Sequence, residues 1–258
     1  MNAPRAVVFD LGGTLVHWAD WEDGAGAKWS SAYDAMRIAG DATLLPRGDR
    51  QAPRVTWPAR DDFVAAMRAA EKAHWERVNR EHWSGPPTGL VSDGMRRLGL
   101  DVPEDVLVAT MDGYAKAVAG WSTVYPDSRD TLAVLRERGY RVGLLSNTWW
   151  AAEWHNADLA AHGLVELLDV VLYTSDLPHS KPHPSVFAEV AGRLDVPATD
   201  AVMIGDRQID DVSGAKAAGM RGIWRRNDSG FPTADIAPDA VVDRLSELPD
   251  VLRSWGGA

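Results

Sequence analysis

The sequence predicts an α/β fold: a parallel sheet covered by helices on both faces, interrupted after its first strand by a long helical insertion. Three observations predict it. Short, continuously apolar, β-rich runs recur along the chain, the pattern of strands buried on both faces. In the second half of the chain these runs alternate with helical periodicity, most of it closed by a glycine, which implies βαβ connections. Between Trp18 and Gly120 the strand runs stop and only helical periodicity is found.

The elements follow in order. Residues 5–10 form the first strand. The insertion comes next, with helices at residues 25–39, 60–83, 88–98 and 103–119. Residues 41–58 hold Pro46, Pro53, Pro58 and several arginines, a composition that breaks helices and reads as a loop. Further strands are predicted at residues 140–146, 169–173, 201–205, 221–224 and 240–243. Helices at 127–138, 151–162, 184–194 and 209–218 separate them, with Gly139, Gly163 and Gly219 as stop signals. The expected division is a Rossmann-like, doubly wound parallel core of residues 1–17 and 121–258, carrying an inserted α-helical domain of residues 18–120. No internal repeat or low-complexity tract interrupts this plan.

Composition narrows the function. A chain of 258 residues with 45% hydrophobic content can fill a substantial core. A net charge of −10 argues against a nucleic-acid or anionic-membrane partner, both of which need a basic footprint. There is no cysteine, which excludes disulfides, thiolate metal sites and a cysteine nucleophile. The apolar stretch in MNAPRAVVFD is too short for a signal peptide, and no run approaches membrane-spanning length, so a cytoplasmic protein is expected.

Four short segments carry the chemistry: VVFDLGGTL with Asp10, GLLSNT with Ser146, SKPHP with Lys181, and VMIGDRQIDD with Asp206, Asp210 and Asp211. Asp10, Ser146 and Asp206 fall at the carboxyl ends of strand runs, where an open parallel sheet brings neighbouring side chains to one crevice. Several carboxylates there raise one another's pKa values unless a cation neutralises them. Oxygen donors without histidine suit Mg2+, which accepts a substrate phosphate oxygen, and Lys181 adds a second positive charge. The set reads as a phosphate-handling site whose partner is a phosphorylated small molecule.

Ordinary readings stand beside these. Ser146 can cap the helix after it, Lys181 can be a solvated loop lysine, and Asp211 can belong to the first turn of a helix, where the macrodipole favours negative charge. Trp18, Trp21, Trp149 and Trp150 lie close enough to the motifs to line a pocket, with packing their first role. His179 and His183 are flanked by prolines, share no helix face, and are assigned no metal.

In the order and content of these four motifs the chain resembles the haloacid dehalogenase-like hydrolases, most of which are Mg2+-dependent phosphatases. The resemblance spans roughly residues 5–16 and 126–242. It implies that Asp10 is the nucleophile and a metal ligand, with the Gly12 carbonyl, Asp206 and Asp211 completing the metal site and Asp210 in support. It implies that Ser146 and Lys181 hold the transferring phosphoryl group, in a pocket that includes Gly12, Gly13, Thr14 and Asn147. The insertion resembles the family's cap, which closes over the crevice and selects the substrate.

One departure from the family pattern matters. Its phosphatases carry a second aspartate two residues after the nucleophile, as acid and base; here that position is Gly12. Such help is typically worth about 10²- to 10⁴-fold. Its loss implies a slow phosphatase, a phosphate-binding or regulatory protein, or a relative with other chemistry. Dehalogenases proper need no metal and lack the Gly-Asp pair found here at Gly205 and Asp206. Phosphonoacetaldehyde hydrolases keep the metal and use a cap lysine; Lys28, Lys72 and Lys116 are the only lysines in the insertion, and none stands in a surrounding that matches that group. His17, Asp20, Glu22 or Asp23 could supply the missing group.

Overall fold

The computed structural model describes residues 3–18, 25–44, 56–228 and 230–256. Its internal contacts divide the chain into two units. One holds the described residues of Met1–Trp18, His82–Gly85 and Ser122–Ala258, the other those of Ala19–Glu81 and Pro86–Trp121.

The first unit contains strands β1 (Ala6–Phe9), β2 (Val16–Trp18), β3 (Ser122–Val124), β4 (Arg141–Ser146), β5 (Val170–Tyr173), β6 (Ala201–Gly205), β7 (Arg221–Arg225) and β8 (Ala240–Val242). Six of them form one sheet in the order β5-β4-β1-β6-β7-β8, and every neighbouring pair is parallel. The chain steps outward from β1 to β5, then crosses back to β6 and continues to the other edge. The direction therefore reverses between β1 and β6, and connections leaving these two strands part to leave a crevice at their carboxyl ends. Asp10 follows β1 and Asp206 follows β6.

Both faces of the sheet are covered, which is why β1 reads as a continuous apolar run. Val7 and Phe9 pack with Leu132 and Leu135 of α5 (Ser128–Glu137) and with Leu248 and Leu252 of α9 (Leu248–Ser254). Ala6 and Val8 face the opposite way, onto Val186, Phe187 and Val190 of α7 (Pro184–Arg193) and Ala215 of α8 (Gly214–Ala217). Leu159 of α6 (Ala152–Ala161) joins the first cluster. The predicted α/β fold is the observed one.

Several local features differ from the sequence pattern. Strands β2 and β3 pair as an antiparallel ribbon, Val16 opposite Val124 and Trp18 opposite Ser122. At three residues each they are too short for periodicity to show. The helix expected at 209–218 is a π-helical turn, Gln208–Ser213, followed by α8; windings of different pitch look alike over one or two turns.

The second unit is helical: α1 (Ala25–Leu44), α2 (Arg60–Glu81), α3 (Gly89–Arg97) and α4 (Glu104–Val118). Helix α1 runs beyond its expected end; there Gly40 lies against the Trp57 ring, and Trp57 Nε1 donates to Asp41 Oδ1 at 2.7 Å. Residues 45–55 of the expected loop lie outside the described residues, as do Asp20, Trp21, Glu22 and Asp23. Lys28 is buried, its Nζ 5.9 Å from the Tyr114 ring and 5.8 Å from the Trp121 ring. Lys72 and Lys116 are exposed.

Helix α2 stops at Glu81, where His82 takes a left-handed φ of 49°. The next residues form a strap. Ser180 N–H donates to the His82 carbonyl at 2.9 Å, Ser84 N–H to the Pro178 carbonyl at 3.2 Å, and Ser84 Oγ to the Thr174 carbonyl. These bonds place residues 82–85 with the sheet unit, on the segment that carries Lys181. Among the described residues no helix is long and apolar enough to cross a membrane.

Candidate active site

Lys181 stands at the centre of the crevice, 2% exposed. Its Nζ donates to Asp10 Oδ1 at 2.7 Å, to Asp211 Oδ1 at 2.6 Å and to the Leu145 carbonyl at 3.0 Å. All three donor protons of the ammonium are thus committed. One carboxylate oxygen each from Asp10, Asp206 and Asp211 lies within 4.8 Å of the others. Asp210 points elsewhere, to Arg207 Nη1 at 3.3 Å.

Burial pushes the Asp10 carboxyl up to about 7; Lys181 opposes the rise, and Asp211 and Asp206 add to it. Burial, then Asp211, likewise raises Asp206, against a hydrogen bond from Asn227. For Lys181 burial favours the neutral amine, but Asp10 and Asp211 outweigh it and hold the ammonium above the ordinary lysine value. The crevice thus carries more negative charge than its one lysine offsets.

A divalent cation fits this arrangement. With all three ionised, the carboxylates against one ammonium leave −2, a repulsion that holds the Asp10 and Asp206 carboxyls up and that a cation would relieve. Asp206 Oδ1 is buried without a hydrogen-bond partner among the described residues, an oxygen whose desolvation a cation would compensate. The donors are all oxygens, which suits Mg2+.

Two glycines make the cluster sterically feasible. A Cβ on Gly205 would collide with the Asp211 carboxyl group, and one on Gly13 with that of Asp206. Gly13 also has φ of +77°, which residues with a side chain rarely adopt. Asn227 Nδ2 donates to Asp206 Oδ2 at 2.9 Å and to the Gly13 carbonyl at 3.0 Å. Arg225 Nη1 reaches the same carbonyl at 2.7 Å, with its guanidinium 3.8 Å from the Tyr125 ring centroid. Trp224 Nε1 donates to the Asp206 carbonyl at 3.0 Å. The sequence pattern singles out none of these three for the site. Their one signal is position, at the carboxyl end of β7 beside β6.

Ser146 ends β4, buried at the rim of the crevice. Asn147 uses both ends of its amide on Lys181: Nδ2 donates to the Lys181 carbonyl at 3.0 Å, and Oδ1 accepts from its N–H at 2.8 Å. The Asn147 side chain is thus committed to the Lys181 backbone, where the resemblance implies a phosphate contact. Thr14 is fully buried, and its Oγ1 has no partner among the described residues. Trp149 and Trp150 are buried, with Trp150 stacked on His155 at 5.0 Å. His179 and His183 stack on each other at 3.8 Å and share Ser185 Oγ, at 3.4 and 2.8 Å.

At Gly12 the indole of Trp18 stands where a side chain would begin, 2.9 Å from an ideal Cβ. His17 lies between Val16 and Trp18 on β2, so its side chain takes the opposite face of the ribbon. There its ring lies 5.1 Å from that of Tyr125.

Comparison with known proteins places this crevice in a family. A model described as haloacid dehalogenase-like hydrolase matches residues 4–219. The chain is 32% identical over 169 residues to a glyceraldehyde 3-phosphate phosphatase of Methanopyrus kandleri, covering 62% of this chain and 69% of that protein. It is 28% identical over 259 residues to a phosphoglycolate phosphatase of Escherichia coli, covering 96% and 92%. Among solved structures it resembles a 2-haloacid dehalogenase from Pseudomonas syringae, with a TM-score of 0.62, 26% identity and coverage of 98% and 99%. The match over most of the chain, together with an aspartate after each of the two central strands and a lysine bridging the carboxylates, establishes that this protein belongs to the haloacid dehalogenase-like hydrolase family.

Proposed function

We propose that this hydrolase is a Mg2+-dependent phosphatase acting on a phosphorylated small molecule through an aspartyl phosphate on Asp10. The observation that carries this is the cluster of Asp10, Asp206 and Asp211 around a single lysine. A metal-free dehalogenase has no use for three converging carboxylates, whereas a phosphatase needs a divalent ion beside its nucleophile. The relatives named as phosphatases of glyceraldehyde 3-phosphate and phosphoglycolate support a small phosphorylated metabolite as the substrate class. Residues 1–17 and 121–258 form the catalytic core in this reading, residues 18–120 apart from Trp18 and the strap at 82–85 act as the substrate-selecting cap, and the protein works in the cytoplasm.

Bound at Asp10, Asp206, Asp211 and the Gly12 carbonyl, Mg2+ supplies charge neutralisation for the phosphoryl oxygens. A carboxylate oxygen of Asp10 attacks phosphorus as the ester P–O bond breaks, and the leaving oxygen departs with the electron pair. Lys181 holds Asp10 in place and offsets charge on the equatorial oxygens, while Ser146 donates to one of them. Thr14 and Gly13 shape the floor beneath. Water then attacks phosphorus, the bond to Asp10 breaks, and inorganic phosphate leaves.

The deciding experiment is a panel of phosphate esters assayed with Mg2+ and with a chelator, with Asp10→Asn as the blank. Phosphate release should need both Mg2+ and Asp10. Mg2+ should also raise the melting temperature of wild type and fail to do so for Asp206→Ala, because only a ligand that binds the native state stabilises it. Gly12 supports a second reading, a phosphate-binding regulator. Phosphate binding by wild type, with no ester hydrolysed, would select that reading.

A further inference from the structure

Position 12 is closed by one side chain. An ideal Cβ on Gly12 would lie 2.9 Å from Trp18 Cζ3, 3.7 Å from Cη2 and 3.8 Å from Cε3. Unbonded carbons rest at about 3.5–4.0 Å, so the nearest contact is repulsive. The indole is held in place: Trp18 pairs with Ser122 across the β2–β3 ribbon and packs on the apolar cluster that contains Leu15 and Val16. The next residue, Gly13, is fixed. Gly13 N–H donates to the Val16 carbonyl at 2.8 Å, the Gly13 carbonyl is gripped by Arg225 and Asn227, and its Cα faces the Asp206 carboxyl group. The Gly12–Gly13 pair is wedged between an indole and the Asp206–Asn227 pair.

We infer that Trp18 fills the space a side chain at position 12 would need, so that the site is built to work without an acid there and favours phosphate esters whose leaving group needs no protonation from that position. Aryl and acyl phosphates are such substrates; simple alkyl phosphates are not. His17 does not replace the missing group, because strand alternation turns it to the other face of the ribbon. The substrate class rests on the phosphatase reading, whereas the steric coupling of residues 12 and 18 rests on geometry alone.

The test is a double-mutant cycle of Gly12→Asp and Trp18→Ala, each protein measured for melting temperature and for Mg2+-dependent turnover of 4-nitrophenyl phosphate and ethyl phosphate. Wild type should favour the aryl ester strongly. Gly12→Asp alone should melt lower and gain nothing on ethyl phosphate. The double variant should recover part of that melting loss relative to the sum of the single changes. It should also raise the ethyl-to-aryl turnover ratio about tenfold or more, the lower part of what a general acid provides. If Trp18→Ala does not fold, Trp18→Leu takes its place in the cycle. A Gly12→Asp protein that melts like wild type and gains alkyl turnover would overturn the inference, as would strictly additive melting shifts. A wild type that hydrolyses neither ester would instead sink the phosphatase reading, and the melting cycle would still decide whether residues 12 and 18 are coupled.

Discussion

His155 shows how a single residue responds to burial. Its ring lies between those of Trp150 and Tyr173, at 5.0 and 4.9 Å, and its Nε2 meets Thr148 Oγ1 at 2.8 Å. Burial lowers its pKa to about 4, so the folded protein holds it neutral. A histidine depressed on folding contributes stability above its ordinary pKa of about 6.5, and that stability is lost as pH falls through the folded value. The protein should therefore lose stability between pH 6.5 and 4, by an amount on the order of 3 kcal/mol from this residue. His74, also lowered to about 4 by burial, adds to the same slope. His155→Phe should flatten the slope in urea melts across that range, and an unchanged slope would refute the assignment.

Among the elements, the segment carrying Lys181 depends on two outside supports. Asn147 clamps the Lys181 backbone from the end of β4, and residues 82–84 hold Pro178 and Ser180 from the other side. Both supports act on main chain, so the lysine reaches its carboxylates only when the segment is correctly set. Asn147→Ala should lower kcat about tenfold or more, as small misplacements of catalytic groups do, with little change in KM. It should leave the Mg2+-dependent melting shift intact, because Asn147 touches none of the three carboxylates. Loss of that shift together with activity would mean that the clamp supports the metal site directly.

At the scale of the whole molecule, the crevice is a product of packing on both sides of the sheet. Leu248 and Leu252 of α9 are fully buried in the cluster that backs β1 with Val7 and Phe9. Leu252→Ala should destabilise the protein by about 2–5 kcal/mol, the cost of a core cavity. Thermal or urea unfolding would measure it, and the Mg2+-dependent shift should persist at temperatures where the variant is folded. A change within about 0.5 kcal/mol, as at an ordinary surface site, would mean that α9 does not form part of the core.

The parallel strands, the insertion and the motif residues are legible in the chain, because strands buried on both faces leave long apolar runs and their carboxyl ends mark where side chains converge. The sheet order, and with it Asp10 and Asp206 on adjacent strands, agrees with that reading. What only the tertiary structure decided is local or comes from distant parts of the chain. The β2–β3 ribbon, the π-helical turn and α9 are too short to show a period. Asn227, Arg225 and the strap at residues 82–85 act across many residues of sequence. That Asp211 and not Asp210 joins the carboxylate cluster depends on how the π-helical turn winds beside Gly205, where only a bare Cα leaves room for the Asp211 carboxyl group. Gly12 reads in sequence as a missing side chain; the fold shows an indole in its place, because Trp18 reaches it only once β2 and β3 have paired.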